Sequence, residues 1–416
     1  MRIGIDAREL CGRATGAGRY LRGLLQQWAT DADAHEFVLY APEGIALTLD
    51  ARRFPTRLLP GSAGTWWEQV QIPRAATSDR LDVWFAPAYS APLRLTTPIV
   101  VAIHDLSFVA HPEWFRLREG VRRRWLTRLA AQKARAVITI SQFSRRELIE
   151  RLHVPDGQIH VIPPGVGTGD SGLGTGGHIV ASRQSPVPSR QSLVPNPQSL
   201  VPSPQSLVPS PQSLVPSPQS LVPSPQSLVP SPYKVLYVGS IFNRRHVIDL
   251  IRGFAAVARS HAAASLDIVG DDRSYPREEL RTTIAVEGLA EQVHWHEYVS
   301  DEVLRQLYAR ARAFAFLSEY EGLGLTPLEA LAAGVPPVLL DTAVARESCG
   351  DAAVYVPVGD VPAITRALES VLFDEGVRAR ILAAAPNELA KYSWPRAARE
   401  TIEVLERAGS DTPRSG

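Results

Sequence analysis

Short apolar runs alternate with stretches of helical periodicity along most of this chain, and a proline-rich interval breaks the pattern once. In the first half the runs Ile3–Ile5, Phe37–Tyr40, Pro98–Ile103 and Ala136–Ile140 read as strands. They are apolar on successive positions, as strands covered on both faces are. Between them, Leu21, Leu24 and Leu25, and later Leu148 and Leu152, recur at helical spacing. The second half repeats the scheme with Val235–Val238, Leu266–Val269, Val293–Tyr298, Phe314–Leu317, Pro337–Leu340 and Val354–Val356. The intervening helices carry Ile248, Leu250, Ile251 and Phe254, then Val299–Arg310, and lastly Ala397, Ile402 and Leu405. Strands alternating with helices predict parallel sheets covered on both sides. A chain of 416 residues exceeds what one core usually serves, so two such domains are expected.

From Ser192 the sequence Ser-Leu-Val-Pro-Ser-Pro-Gln recurs with a seven-residue period, Asn196 being the one variation. The period resembles a heptad, but two prolines per repeat each remove a backbone donor and clash with the preceding turn. The interval is therefore expected to be disordered or polyproline-like, a tolerated insertion at a domain junction. The predicted division is a first domain at 1–167, the repeat at 168–232, a second domain at 233–391 and a closing helix with its tail at 392–416.

Composition narrows the function by exclusion. A formal net charge of +1 offers no global attraction to nucleic acid. Cys11 and Cys349 stand far apart, so neither a disulfide framework nor a zinc cluster is indicated. No apolar run approaches the roughly 20 residues that cross a bilayer, and Met1–Asp6 reads as a strand and not a signal peptide. A cytoplasmic location is expected. Between Arg116 and Arg135 the chain is strongly basic, with Glu119 as the opposing acid. Val121, Trp125, Leu126 and Leu129 form an apolar stripe at helical spacing there. This face is either a solvated basic surface or one drawn to anionic lipid on the inner face of the plasma membrane. The adjacent Trp66 and Trp67 read as packing residues or as an aromatic lining for an acceptor sugar.

The most informative chemistry lies in Leu317–Val338. A strand end leads through Glu321-Gly322-Leu323-Gly324-Leu325 into a helix, with Thr326 the expected N-cap and Pro327 the first helical residue. Glycines free backbone N–H groups at a helix N-terminus, which favours an anion. Glu321 and Glu329 bracket that end, and carboxylates beside an anion site suit the hydroxyls of a sugar and a ribose. The two acids, seven residues apart around Gly-Leu-Gly-Leu-Thr-Pro-Leu and followed by Glu-Ala-Leu-Ala-Ala-Gly, resemble the signature of the family four retaining glycosyltransferases.

That resemblance, over about residues 1–167 and 233–407, implies the GT-B architecture: two Rossmann-like domains facing a cleft. It implies transfer of a hexose, mannose or similar, from a nucleotide diphosphate sugar to a glycan or lipid-linked acceptor, in the style of surface polysaccharide or lipopolysaccharide assembly. GDP-mannose is the expected donor, and no cofactor or metal is implied. His104, at the exit of a buried strand beside Asp105, takes the family's histidine position near the donor sugar. Arg244 and Arg245 stand where a basic pair neutralises the diphosphate, with arginine in place of the family's usual lysine at Arg245. The catalytic set so implied is His104, Glu321, Arg244 and Arg245. The donor-binding set is Gly16 and Gly18 in the first glycine loop, Gly239 and Ser240, the amides of Gly322, Leu323, Gly324 and Leu325, and Glu329. Read without the resemblance, the first glycine loop is explained equally by a tight turn. Asp271-Asp272 is a metal pair by residue type and a polar turn by context. The other classes in view are a GT-B epimerase or phosphorylase and a non-catalytic sugar-nucleotide binding protein.

Overall fold

The computed structural model describes residues 1–12, 16–30, 35–45, 47–167 and 232–410. The repeat lies outside the described residues. The first lobe runs β1 (Arg2–Asp6), α1 (Gly16–Thr30), β2 (Glu36–Ala41), β3 (Thr56–Leu58), α2 (Ile72–Ala76), β4 (Val83–Ala86), β5 (Ile99–Ala102), α3 (Ser107–Ala110), α4 (Leu117–Lys133), β6 (Ala136–Thr139), α5 (Gln142–Leu152) and β7 (Ile159–Val161). Its seven strands are all parallel, in the order β3-β2-β1-β4-β5-β6-β7. The second lobe runs β8 (Tyr233–Val238), α6 (Val247–Ser260), β9 (Ala264–Val269), α7 (Leu280–Val286), β10 (Val293–His296), α8 (Asp301–Arg310), β11 (Ala313–Phe316), α9 (Leu325–Ala332), β12 (Pro337–Leu340), α10 (Ala343–Cys349), β13 (Val354–Val356), α11 (Val361–Phe373) and α12 (Glu375–Leu389), and α13 (Trp394–Ser410) follows it in the chain. Its six parallel strands are ordered β10-β9-β8-β11-β12-β13.

The strands are apolar on both faces because helices cover both. Val83–Ala86, Ile99–Ala102, Ala313–Phe316 and Pro337–Leu340 are buried at every position. Pro337 sits in an interior strand, but at its first residue; Phe314 donates to the Pro336 carbonyl beside it, so the ladder loses little. Side-chain oxygens start several helices: Ser141 for α5, Ser300 for α8, Thr342 for α10, Asp360 for α11 and Asp374 for α12.

In each sheet the order reverses beside the first strand of its lobe, between β1 and β4 and between β8 and β11. Open α/β sheets bind ligands at the carboxyl ends of strands at such switch points. The loops there carry most of the candidate residues.

Two local expectations need correction, and two others gain detail. Gly16 and Gly18 do not form a loop; they occupy the first turn of α1, which begins at Gly16. Thr326 and Pro327 are not the cap and first residue of α9. Gly324 holds the cap position in the left-handed conformation, φ +83°, and the helix starts one residue before Thr326. Pro327 costs nothing there, because the first four N–H groups of a helix lack intrahelical partners anyway. Of the apolar stripe on α4, Leu126 is buried, whereas Val121 and Trp125 face solvent. The tandem tryptophans divide: Trp67 is 1% exposed, its indole N–H bonded to the Leu59 carbonyl at 2.8 Å, and Trp66 is 66% exposed.

Helix α13 belongs to the core of the first lobe. Ala397, Ala398, Ile402 and Leu405 pack with Leu21, Leu24, Trp28 and Phe85, and the Trp28 indole donates to the Ala398 carbonyl at 3.1 Å. Its entry is set by Trp394, whose ring lies where a Cβ on Gly23 or Gly165 would fall, 2.4 Å and 2.3 Å away. At an open helix position Gly→Ala gains about 1 kcal/mol. Here the methyl must displace an indole wedged on two sides, and overpacking costs roughly 1–3 kcal/mol. Gly23→Ala is therefore expected to lose on the order of 1 kcal/mol net, read as a lower denaturation midpoint; a stabilised variant contradicts the packing described.

Candidate active site between the two lobes

His104 follows β5 and marks where the lobes touch. Its ring is buried, Nε2 lies 2.8 Å from the Pro87 carbonyl, and Tyr20 and Tyr89 present ring edges at 4.6 and 5.8 Å. Burial pushes the imidazole below its ordinary pKa, so it is neutral at pH 7. A carbonyl only accepts, so Nε2 carries the proton and Nδ1 keeps a lone pair for a hydroxyl donor. The next residue, Asp105, has a structural task. It accepts from Tyr89 Oη at 2.6 Å and from Ser107 N and Oγ at 2.9 and 2.7 Å. Burial raises its pKa, but those donors and Arg123 outweigh it and hold the carboxyl below the usual range.

The second lobe meets this corner with the loop after β11. A Cβ on Gly322 would fall 2.2 Å from the His104 carbonyl oxygen, so only glycine permits the approach. The Gly322 carbonyl in turn accepts from Ser141 Oγ at 2.5 Å and Ser144 Oγ at 3.3 Å. Further ties surround the contact. Tyr320 Oη donates to Glu147 Oε2 at 3.0 Å and accepts from Leu106 N at 3.3 Å. Glu347 of α10 accepts from Gln142 N and Phe143 N at 2.6 and 2.8 Å, completing the first turn of α5 from the other lobe. None of these partners is near in sequence, so the local pattern holds no sign of them.

Glu321 is divided between protein and open space. Its Oε1 accepts from Arg245 Nε and Nη2 at 2.9 and 2.7 Å and from Ser318 Oγ at 2.8 Å. Oε2 takes no partner among the described residues. The carboxylate lines a hollow open to solvent with Ser318, Gly324, Thr342 and Ser348. The N–H groups of Leu323, Gly324 and Leu325 meet no acceptor among the described residues. Leu323 itself is 2% exposed, a core residue on this side chain's account. Glu329, one turn into α9, is buried beside Tyr308 Oη at 3.4 Å and Arg19 of α1 at 3.6 Å. Burial raises its pKa against the pull of Arg19 and Tyr308. The first turn of α1 thus reaches the second lobe through Arg19, which places Gly16 and Gly18 at the same junction.

The two arginines after β8 differ. Arg245 is spoken for by Glu321 and by the Ser240 carbonyl at 2.8 Å; Gly239, at φ +151°, leaves room for its guanidinium. Arg244 has no such partner. Its guanidinium lies 4.2 Å from the Phe242 ring and 5.4 Å from Trp114 of the first lobe, with a buried Nε that bonds to nothing among the described residues. Burial lowers its pKa, with Glu321 and Asp105 opposing. The Ser240 hydroxyl is used on Asp271 at 2.7 Å. Asp271 also takes Arg273, and Asp272 takes Ser274 N and Oγ, so both acids act as turn acceptors.

The structure therefore brings His104, Arg244, Arg245, Glu321, Gly322 and Glu329 to one junction. Sequence reasoning passed over Arg19, Tyr20, Tyr89, Trp114 and Tyr320, whose only sequence signal is aromatic or basic character near strand ends. It also passed over Asp6 at the end of β1, which shares Arg8 with the buried Glu68.

Known proteins bear directly on this arrangement. Residues 14–169 match the family model Glycosyltransferase Family 4, and residues 224–388 match Glycosyl transferases group 1. O-antigen chain mannosyltransferase B of Escherichia coli is 28% identical over 171 residues, covering 41% of this chain and 45% of that protein. A GDP-mannose:cellobiosyl-diphosphopolyprenol alpha-mannosyltransferase of Xanthomonas oryzae pv. oryzae is 32% identical over 107 residues, 26% of this chain and 28% of that one. The matches thus span less than half the length of these curated relatives. In fold, the chain resembles HepE of Anabaena, solved with UDP and glucose, at TM-score 0.68 and 18% identity over 98% of this chain and 100% of that one. It also resembles WaaG, a glycosyltransferase involved in lipopolysaccharide biosynthesis, at TM-score 0.64 and 15% identity over 97% and 99%. With the two models covering most of the sequence and both lobes folded as parallel α/β domains, the chain belongs to family 4 of the GT-B glycosyltransferases.

Proposed function

We propose that this glycosyltransferase moves a hexose, mannose or a close analogue, from a nucleotide diphosphate sugar to a glycan or lipid-linked acceptor with retention of configuration. The observation that carries the reading is Arg244: a half-buried cation at the lobe junction whose buried Nε meets no hydrogen-bonding partner among the described residues, near the free amides at the head of α9. A leaving diphosphate develops negative charge as its bond to the sugar breaks, and prepositioned cations and amides stabilise it. With Arg245 and the α9 N-terminus supplying positive character, no metal is required in this scheme. The donor sugar lies with its hydroxyls on Glu321 Oε2 and the loop amides, its distal hydroxyl on His104 Nδ1, and the ribose on Glu329. Closure of the lobes excludes water, which suppresses hydrolysis of the donor. Relatives that act on O-antigen and on a diphosphopolyprenol support a place in cytoplasmic assembly of surface polysaccharide.

The test is a thermal-shift screen of GDP-mannose, GDP-glucose, UDP-glucose and the free nucleotides. Anomeric analysis of product by NMR follows, with and without EDTA. Stabilisation by GDP-mannose, and an α-linked product formed in EDTA, are expected. An inverted product or loss of activity in EDTA overturns the corresponding part. Binding with neither transfer nor hydrolysis favours the non-catalytic class.

A further inference from the structure

Asn243–Arg245 form a single 3-10 turn between β8 and α6, and this turn presents both arginines. Ahead of them, Asn243 Nδ2 donates to the Pro276 carbonyl at 2.9 Å and Asn243 Oδ1 accepts from Tyr275 N at 2.5 Å, which ties the turn to the loop after β9. Behind them His246 holds the cap position of α6, in the left-handed region at φ +46° and ψ 40°. A cap side chain serves by accepting from the first free amides of its helix, as serine, threonine, aspartate and asparagine do. The His246 side chain accepts from none of them. Left-handed backbone is also strained for most residues with a Cβ. A poor cap on a strained backbone points to a task elsewhere.

That task lies in the ring. Nδ1 is 3.1 Å from Asp249 Oδ2 in the first turn of α6, and Nε2 is 2.5 Å from Glu319 Oε1 on the loop after β11. Glu319 returns the contact, its own N–H donating to the Arg244 carbonyl at 2.9 Å. Two loops thus run side by side across three ties. Arg244 meets the Glu319 amide, Arg245 the Glu321 carboxylate, and His246 the Glu319 carboxylate. The first and third ties close a ring of bonds around Arg245, with Glu319 on its far side. The His246–Glu319 pair is partly exposed, and pairs of that kind add little to stability. Its consequence is geometric: the turn bearing Arg244 cannot swing away from the loop bearing Glu321.

We propose that His246 is a positioning residue, which through Glu319 holds the Arg244 guanidinium where the donor diphosphate lies. Both ring nitrogens are taken by acids, so neither is left for a ligand. The proposal rests on the transferase reading, in which Arg244 faces the leaving diphosphate. A shift of about 1 Å in a group that orients the reacting atoms can cost on the order of 10² in rate. The two nitrogens divide the work: the near one serves the helix through Asp249, and the far one serves the neighbouring loop through Glu319.

That division supplies the experiment. His246→Asn suits left-handed backbone, offers a cap and puts its amide where Nδ1 stands, but is too short to reach Glu319. His246→Gln puts its amide where Nε2 stands and gives up the cap. The asparagine variant is expected to melt at or above the wild-type midpoint while kcat/KM falls by about 10–10². The glutamine variant is expected to melt lower yet keep kcat/KM close to wild type. Glu319→Ala should match the asparagine loss, and combining the two should add nothing further. Activity that tracks the melting midpoint makes His246 a cap alone and overturns the proposal, as does wild-type kcat/KM in the asparagine variant. If that variant fails to fold, Glu319→Ala cuts the same tie and decides in its place. A second readout is the preference for GDP over GMP and for UDP over UMP in binding titrations. It should shrink in His246→Asn and hold in His246→Gln. A wild-type protein that transfers no sugar fails the transferase reading, and the diphosphate preference then decides on binding alone. An undiminished preference in His246→Asn, or no binding of any of the four nucleotides, overturns the proposal.

Discussion

Arg244→Ala is expected to lower kcat/KM by about 10²–10³, or ~2.7–4 kcal/mol, the scale for removing one preorganised donor to developing charge. The size follows from its isolation. A guanidinium already shared with a carboxylate offers a ligand only part of its field, and Arg245 is of that kind. Arg244 packs on Phe242 and Trp114, with no carboxylate bonded to it among the described residues, so its charge is available to a diphosphate. The same isolation separates this effect from damage to the fold. Burying an uncompensated charge costs stability, so its removal should leave the thermal midpoint unchanged or raised. Steady-state kinetics and a melting curve on one preparation check both halves. Wild-type kcat/KM would remove Arg244 from the reaction, and a collapsed midpoint would recast it as structural.

Glu321 calls for two substitutions, because its two oxygens face different ways. Glu321→Gln retains a carbonyl oxygen for Arg245 and Ser318 but gives up the anion that accepts strongly from a sugar hydroxyl. A kcat/KM loss of roughly 2–4 kcal/mol with a near-native melting midpoint is expected. Glu321→Ala also strands Arg245 in a mostly buried pair, and breaking such a pair costs about 3–5 kcal/mol of stability. The alanine variant should therefore be both slow and thermolabile. If glutamine supports normal turnover, the carboxylate serves Arg245 alone and the sugar contact is lost from the scheme.

How far the sequence carried this picture differs from one feature to the next. The interior strands were legible because a strand covered on both faces has no polar phase to confuse with a loop, as in Ile99–Ala102 and Ala313–Phe316. Thr56–Leu58 was not, since all three residues of this edge strand are exposed and carry no pattern. The start of α9 was misjudged because Thr326-Pro327 is a good cap by type, while Gly324 reaches a backbone region open to it and closed to threonine. The stripe of Val121, Trp125, Leu126 and Leu129 split, with Leu126 buried and Val121 and Trp125 exposed, for another reason. Periodicity groups residues along a helix without telling which of them look inward.

At the junction, the acids, glycines and arginines could be named from local motifs, but their allegiances could not. That Glu321 spends one oxygen on Arg245, that Glu329 meets Arg19, and that Glu347 completes a helix some two hundred positions away depend on how the lobes close. The aromatic walls around His104 were invisible for the same reason.

The wedge of Trp394 between Gly23 and Gly165 bears on how the polypeptide matures. Residues 394–410 leave the ribosome after every other described segment, so the nascent first lobe waits for its final layer while the second is translated. At ~5–20 residues per second that interval is roughly tens of seconds, far longer than helix or hairpin formation. During it the greasy flank of α1 stays uncovered, a natural holding point for a chaperone. A stop codon ahead of Trp394 would leave that flank permanently bare, turning a truncated product into a target for proteolysis.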